Sequence, residues 1–266
     1  MNKNGILWGL LLILGGILFL LDNLGFLPVS ALSLFFPAIL IIVGLWFLIG
    51  PLAFRQAVET RVLTVPSEGS TNATIEFNHG AGEINVSSME GDAFLMNGTF
   101  KGGVDERVSR NGTFTGIKLS VPENEWWGFP TSSPEGGFTW DVQLNRHTAY
   151  DLNVKTGASK VRLDLHDLII TSLKMSSGAN DMEVTLPEQA GKTNCRFEFG
   201  SARLDVHVPQ NVAAQIKLSA ALLDTNDIDQ TRFPRSGDVY RSPNYDTAAN
   251  TVDITVEAGL GILSIH

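Results

Sequence analysis

The sequence predicts a membrane α-helical hairpin followed by an all-β domain, built as a β-solenoid of stacked rungs. Three observations lead to this fold class: two apolar runs open the chain, apolar and polar residues alternate strictly afterwards, and one alternating pattern recurs about every 21 residues. The chain has 266 residues, of which only 18% are charged, against about 25% in soluble proteins. Its net charge of −9 argues against a nucleic-acid partner, which would favour a basic protein.

The predicted hairpin occupies residues 1–54. Its apolar runs, residues 5–21 and 31–49, each have the length of about 17–25 residues that a bilayer crossing requires. Basic residues flank only the outer ends of the pair, at Lys3, Arg55 and Arg61. The positive-inside rule therefore predicts a two-span membrane protein whose β-domain is cytoplasmic. The small residues in the runs also allow close helix packing, so a homo-oligomer is a further expectation.

After a predicted linker at residues 55–70, the β-domain is predicted to occupy residues 71–266. Five segments place apolar residues five and three positions before a small residue, and four and six positions after it; the small residues are Gly80, Gly157, Gly178, Gly200 and Gly259. A sixth segment, centred on Ala221, begins in the same way and then loses the pattern at residues 224–227. Period-two alternation is typical of strands with one buried face, and a central glycine suits a corner with positive φ. A constant period indicates stacked repeats. An antiparallel β-sandwich of hairpins is the alternative.

Equivalent positions in the repeats suggest a surface for a partner. Lys174, Arg196 and Lys217 share one column, which parallel stacking would space at about 4.8 Å. Adjacent like charges are unfavourable unless an acidic partner neutralises them, so this basic stripe is a candidate partner-binding surface. The simpler interpretation is that the long side chains splay into water. Cys195 shares a column with Leu and Ile residues and is predicted to be a buried small hydrophobe.

Two stretches interrupt the repeats and are further candidates for contact with a partner. Residues 123–140 contain Trp126 and Trp127 among prolines and glycines, which is typical of an exposed aromatic loop or of a cap over one end of the solenoid. Residues 228–250 form a long loop rich in the residue types that anchor interfaces, Arg and Tyr: Arg232, Arg235, Tyr240, Arg241 and Tyr245.

The sequence predicts no catalytic, cofactor or metal site. Gly191-Lys192-Thr193 resembles the end of a phosphate-binding loop, but the first glycine of that motif is missing and a strand follows where a helix is needed. The histidines lack the helical spacing of a zinc motif, and the single cysteine excludes a multi-cysteine zinc site. Paired acidic residues could serve a carbohydrate-active solenoid enzyme, the enzymatic alternative; the best candidates are Asp164, Asp167, Glu183 and Asp205.

The hairpin, with Leu-Leu-Asp-Asn-Leu-Gly at residues 20–25, resembles the transmembrane region of LiaI/LiaF-type bacterial proteins. The repeats that end at residues 254–265 are similar to the toast-rack β-domain that follows such hairpins. This resemblance implies a non-enzymatic modulator or adaptor of the cell-envelope stress response, with a sensor kinase or another envelope protein as partner and no cofactor. Some relatives have more spans, and no functional residue can be transferred. A self-associating scaffold at the membrane is the structural alternative.

Overall fold

The computed structural model describes residues 3–25, 35, 37, 39–41, 44, 60–122 and 137–266. The chain divides into two compact units, residues 1–56 with 128–132, and residues 57–127 with 133–266. In the first unit, helix α1 spans Lys3–Asn23, and most of the second apolar run lies outside the described residues. Across the ranges just given, no helix combines the length and apolar character that a membrane crossing needs.

The described part of the second unit forms one mixed sheet of thirteen strands. The strands are β1 (Thr60–Pro66), β2 (Asn72–Met89), β3 (Phe94–Lys101), β4 (Asp105–Asn111), β5 (Phe114–Ser120), β6 (Phe138–Asn145), β7 (Ala149–Asp164), β8 (Ile169–Thr185), β9 (Lys192–His207), β10 (Ala213–Ile228), β11 (Arg235–Ser236), β12 (Val239–Arg241) and β13 (Thr251–Ile265). Strand β1 forms within residues 55–70, the stretch expected to be linker.

Six long strands form a parallel rack in the order β2-β7-β8-β9-β13-β10. We call each of them a rung, its small central residue the corner, and the halves before and after the corner its first and second arms. Buried positions change parity across the corner, so both arms direct apolar side chains into one core. The predicted columns align in register, as in Leu173–Cys195–Ile254–Ile216. The rungs are parallel, as a solenoid requires and an antiparallel sandwich does not.

The order of the rungs departs from a simple solenoid. Strand β13, the last in the sequence, lies between β9 and β10. The first arm of β10 then pairs on its outer side with β12, where Gln215–Lys217 opposes Val239–Arg241 in antiparallel orientation. At the other end of the rack, β2 pairs with β5 along its first arm and with β6 along its second arm.

The corner glycines that follow Gly80 along the rack are required for a different reason from the one expected. None of the corner glycines has the positive φ that the sequence suggested. A Cβ at Gly178 would instead lie 2.8 Å from the carbonyl oxygen of Gly157 in the preceding rung, and a Cβ at Gly200 would lie 3.0 Å from that of Gly178. Glycine therefore allows two neighbouring rungs to approach each other at the corner.

Candidate partner-binding surfaces

The basic stripe is a broken row and not three consecutive cations. Lys174 and Arg196 are register partners on neighbouring rungs, but the insertion of β13 places Thr255 between Arg196 and Lys217. The prediction of an uninterrupted column of like charge is therefore wrong for Lys217. All three side chains remain exposed to solvent.

Two glutamates in the next outward column partly neutralise the stripe. Arg196 Nε donates to Glu198 Oε1 at 2.5 Å, and its Nη2 lies 2.8 Å from Glu257 Oε1. Lys174 Nζ lies 4.0 Å from the same Glu198 oxygen. The hydrogen bond from Arg196 lowers the pKa of the Glu198 carboxyl below its ordinary value. Pairs as exposed as these contribute little to stability, so an acidic partner could replace the glutamates at small cost.

The stripe and the column beside it carry an excess of positive charge, while the third outward column of the first arms contains Asp151 and Asp253. Two adjacent outward columns on the first arms, from β5 to β10, contain five cations, Lys118, Lys155, Lys174, Arg196 and Lys217, and three carboxylates, Glu76, Glu198 and Glu257. These two columns therefore carry 5 − 3 = +2, on a chain whose net charge is −9. Glu76 is held between Lys155, at 2.9 Å, and Lys118, at 3.6 Å.

Arg232 is engaged inside the fold. Its guanidinium donates to the carbonyl oxygens of Val208, Pro209 and Val212, with the bond to Val212 at 3.2 Å. Burial lowers the pKa of the guanidinium from its ordinary value. These bonds tie the loop after β10 to the turn that precedes it, which accounts for Arg232 structurally. Its role as a binding anchor stays a prediction.

The other arginines and tyrosines of residues 228–250 pack together at the end of the rack. Tyr240 is buried, and the Arg235 guanidinium lies 5.6 Å from its ring centroid. Arg241 lies 4.7 Å above the ring of Tyr245 and pairs with Asp246. The Tyr245 hydroxyl donates to Asp253 of β13, and burial raises the pKa of that hydroxyl to about 12.

The stripe and this loop meet at β10. Lys217, the last residue of the stripe, is the register partner of Val239, and Ile216 beside it opposes Tyr240. The structure thus brings the two candidate surfaces together into one continuous surface, which the sequence treated as separate. Arg235 and Lys217 are the exposed cations at the junction.

The aromatic stretch is partly outside the described residues, which do not include Trp126 and Trp127. Two aromatic residues of the same stretch are not in a loop. Phe138 and Trp140 lie in β6, and both are buried in the core. Their alternation belongs to a strand, so the irregular segment is shorter than expected at its C-terminal end.

The sequence reading missed a buried histidine at the corner of β2. His79 is 4% exposed, its Nδ1 lies 3.0 Å from Ser159 Oγ, and its ring lies 4.8 Å from that of Trp140. Burial lowers its pKa to about 4. The burial of His79 could have been inferred from the position that it shares with Thr156, Ser177 and Phe199, directly before the corner of each rung. These residues point inward at the corner.

Within the described residues, no group of three His, Cys, Asp or Glu side chains is placed to hold a metal ion. Of the acidic residues considered for sugar chemistry, Glu183 and Asp205 are register partners on the second arms of β8 and β9. Asp167 instead pairs with Arg146 at 3.0 Å. Cys195 is buried, which confirms its predicted place in the core.

Comparison with known proteins gives two family matches. Residues 54–207 match the model of the N-terminal domain of toast_rack, DUF2154, and residues 6–48 match that of the LiaI-LiaF-like transmembrane region. The second match indicates association with a membrane. None of the curated proteins matches this chain.

Three solved structures resemble this chain, and one of them shares the fold of its β-domain. A cell adhesion protein from Clostridium sporogenes is 19% identical, with a TM-score of 0.66 over 79% of this chain and 99% of that one. An adhesin from Bacteroides fragilis is 8% identical, with a TM-score of 0.28 over 79% and 98% of the chains. An adhesin from Parabacteroides distasonis is 9% identical, with a TM-score of 0.24 over 78% and 97%. The first likeness establishes a common fold alone.

Proposed function

This chain belongs to the toast-rack family and carries a LiaI-LiaF-like transmembrane region, and from that premise we propose that it is a membrane-anchored, non-enzymatic modulator of the bacterial envelope-stress response. Its β-domain binds a partner protein, such as a sensor kinase, on the cytoplasmic side of the membrane. LiaF-like proteins are membrane-associated regulators of envelope stress, which supports this role. The distribution of Lys3, Arg55 and Arg61 supports the two-span topology.

The continuous surface formed by the basic stripe and residues 235–245 is the observation that carries the proposal. It presents exposed cations on a rack whose in-register rungs fix their spacing. The carboxylates that pair with these cations, Glu198 and Glu257, remain partly exposed to solvent, with 33% and 43% of their side-chain surface accessible. An acidic surface of a partner can therefore exchange with Glu198 and Glu257 without leaving a buried charge unpaired.

Charge reversal tests the surface. The full chain is purified from detergent-solubilised bacterial membranes with its bound proteins, as the wild type and as the triple variant Lys174→Glu, Arg196→Glu and Lys217→Glu. We expect the triple variant to lose a partner that the wild type retains, and to change the transcription of an envelope-stress reporter in cells. Capture of the same proteins by both forms, with unchanged reporter activity, would contradict the proposed surface.

A matched control uses cations outside the stripe. Lys160→Glu, Arg203→Glu and Lys101→Glu change the net charge by the same amount at exposed positions. We expect this control to keep the partner. If both triple variants lose it equally, the effect comes from net charge and not from the stripe.

Two further measurements separate the alternatives. Cross-linking in intact membranes distinguishes a self-associating scaffold, which yields homo-oligomers alone, from an adaptor, which also yields hetero-complexes. Single cysteines introduced at exposed positions of the β-domain report its side of the membrane through an impermeant maleimide, because Cys195 is buried. An external β-domain would favour the carbohydrate-active alternative and contradict a cytoplasmic adaptor.

A further inference from the structure

The rack ends with an open strand edge at the second arm of β10. Strand β12 covers the outer edge of β10 only at Gln215–Lys217. On its inner side, β10 pairs with β13 along both arms. No described strand pairs with the outer edge of residues 219–228, so the backbone groups that face this edge are available to a further strand. The exceptions lie at the register shift between Asp224 and Asp227, where Asp224 accepts from the Asn226 N–H.

The side chains beside this edge differ from those at equivalent positions of the interior rungs. In the column directly after the corner, the first four rungs carry Ala81, Ala158, Ala179 and Ser201, whereas β13 and β10 carry Leu260 and Leu222. Leu222 is 75% exposed and Leu260 is 53% exposed. Two columns later, Ile262 is 40% exposed where interior rungs carry charged residues. The apolar patch is therefore confined to the end of the rack.

The same edge carries negative charge without a matching cation. Asp224 and Asp227 lie on the second arm of β10, and Asp229 follows it. Asp224 accepts a hydrogen bond from the Asn226 N–H, and Asp227 accepts one from Ser264 Oγ. In the part of the chain that the structure describes, neither Asp224 nor Asp227 forms an ion pair with Lys or Arg. Residues 219–229 also contain no basic residue.

From these three features we propose that the second arm of β10 accepts an extended segment of a partner protein as an added β-strand, with an apolar side chain beside Leu222 and Lys or Arg beside Asp224 and Asp227. The strand edge supplies main-chain hydrogen bonds, and the alternating side chains supply selectivity. This proposal rests on the proposed partner-binding function and assigns that function a second contact, separate from the basic stripe.

Charge disfavours a second copy of the chain as the occupant. Antiparallel pairing of two β10 edges about a twofold axis would bring the aspartates of both copies onto one short ladder. Like charges on paired strands are destabilising, and the edge has no basic residue that could compensate. A strand that carries Lys or Arg gains attraction at the same positions.

The binding test uses the full chain in detergent micelles and a fluorescent synthetic peptide of about eight residues, a usual strand length. One face of this peptide carries a leucine and two lysines, and the other face carries valines. Binding is measured by fluorescence anisotropy at about 0.15 M salt, where long-range attraction is screened. We expect saturable binding. A peptide with glutamate in place of lysine should bind at least about tenfold more weakly, or about 1.4 kcal/mol.

A peptide with N-methyl groups on alternate residues tests the added strand directly, because it keeps the charges but cannot complete the hydrogen-bonded ladder. Methyl groups are placed either on all odd-numbered or on all even-numbered residues, and only one of these sets directs its N–H groups towards the edge. We expect methylation of that set to weaken binding at least about tenfold. If both methylated peptides bind as tightly as the unmodified peptide, the proposal is overturned in favour of simple charge attraction.

Variants of the chain locate the contact. Asp224→Lys with Asp227→Lys should abolish peptide binding, whereas the matched control Asp181→Lys with Glu183→Lys, on an interior rung, should preserve it. Equal loss in both would overturn the assigned edge. A homodimer that dissociates on Asp224→Lys would also overturn it, since the occupant would then be a second copy.

Failure of this proposal can be separated from failure of the proposed function. If the peptide does not bind but reversal of the stripe still removes a captured partner, the edge assignment is wrong and the function stands. If the peptide binds at the edge but no hetero-complex forms in membranes, the edge assignment stands and the adaptor function is wrong.

Discussion

Replacement of one corner glycine tests how the rungs of the rack stack. In Gly178→Ala, the new Cβ would lie 2.8 Å from the carbonyl oxygen of Gly157, about 0.6 Å inside the 3.4 Å at which ordinary van der Waals contact begins. The oxygen belongs to the backbone of a rung that is paired on both sides, so it cannot rotate away as a side chain would. The two rungs must separate at the corner, which strains the ladders on either side.

The expected cost follows from known cases of overpacking. Forcing a methyl group into a packed site destabilises a protein by about 1–3 kcal/mol, which outweighs the gain of about 0.4–1 kcal/mol from the reduced entropy of the unfolded chain. The β-domain has about 200 residues, so a loss of 1–2 kcal/mol corresponds to a decrease in Tm of roughly 2–8 °C. We expect the decrease to grow from Gly200→Ala to Gly178→Ala, following the distances of 3.0 and 2.8 Å.

Gly80 provides the matched control. It occupies the same corner position in β2, at the start of the rack, where a Cβ would meet no atom of the described residues within 4 Å and φ is not positive. Gly80→Ala should therefore leave Tm unchanged or raise it slightly. Thermal unfolding of the full chain in detergent, followed by far-UV circular dichroism, measures both variants. Equal melting temperatures for Gly178→Ala and Gly80→Ala would refute the close-approach explanation.

Three further predictions concern single side chains. Arg232→Ala removes three hydrogen bonds to carbonyl oxygens and should lower the free energy of unfolding by about 1–3 kcal/mol in urea titrations, whereas Arg235→Ala, at an exposed position, should have little effect. The pKa of His79 is about 4 in the fold and about 6.5 when unfolded, so the unfolded state binds the proton first; stability should be fully retained above pH ~6.5 and fall towards pH ~4. His79→Phe, which introduces the residue type found at the equivalent Phe199, should flatten that pH dependence of Tm; an unchanged slope would show that His79 is not responsible. Burial raises the pKa of the Cys195 thiol, so the folded chain should resist maleimide and react only in denaturant, and rapid labelling at neutral pH would contradict its place in the core.

The columns of the rack could be predicted from the sequence because strand alternation is local. Apolar residues at fixed distances from each corner determine which side chains face the core, and Cys195 took its predicted place. The order of the rungs could not be predicted in the same way. The first arms of β9, β10 and β13 present nearly the same apolar columns, so on that basis each could lie beside either of the others. Residues 229–250 connect β10 to β13, and tertiary contacts of this segment, such as the hydrogen bonds of Arg232, cannot be read from the columns.

Part of the charge pattern at the candidate surface was also accessible from sequence. Glu198 and Glu257 lie two positions after Arg196 and Thr255 on their rungs, and therefore on the same face of the strand. Consideration of the neighbouring column would have shown the acids that accompany the basic stripe. To predict that Thr255 separates Lys217 from Arg196, one must know the order of the rungs, and the residues of a column do not reveal that order.

The two ends of the rack are closed unequally, and this difference favours recognition at the β10 end. A stacked repeat needs a cap because its terminal strand otherwise exposes both unpaired backbone groups and the apolar edge of the core. Strand β2 is covered on its first arm by β5 and on its second arm by β6, whereas among the described strands only β12 covers β10, and only on its first arm. Its second arm combines an open edge, exposed leucine and aspartates without a basic partner. Substituting Leu222→Ser, which removes the exposed apolar side chain beside the edge, should weaken binding of the lysine-rich peptide without altering capture through the stripe. Loss of both interactions together would show instead that the stripe and the edge form one site.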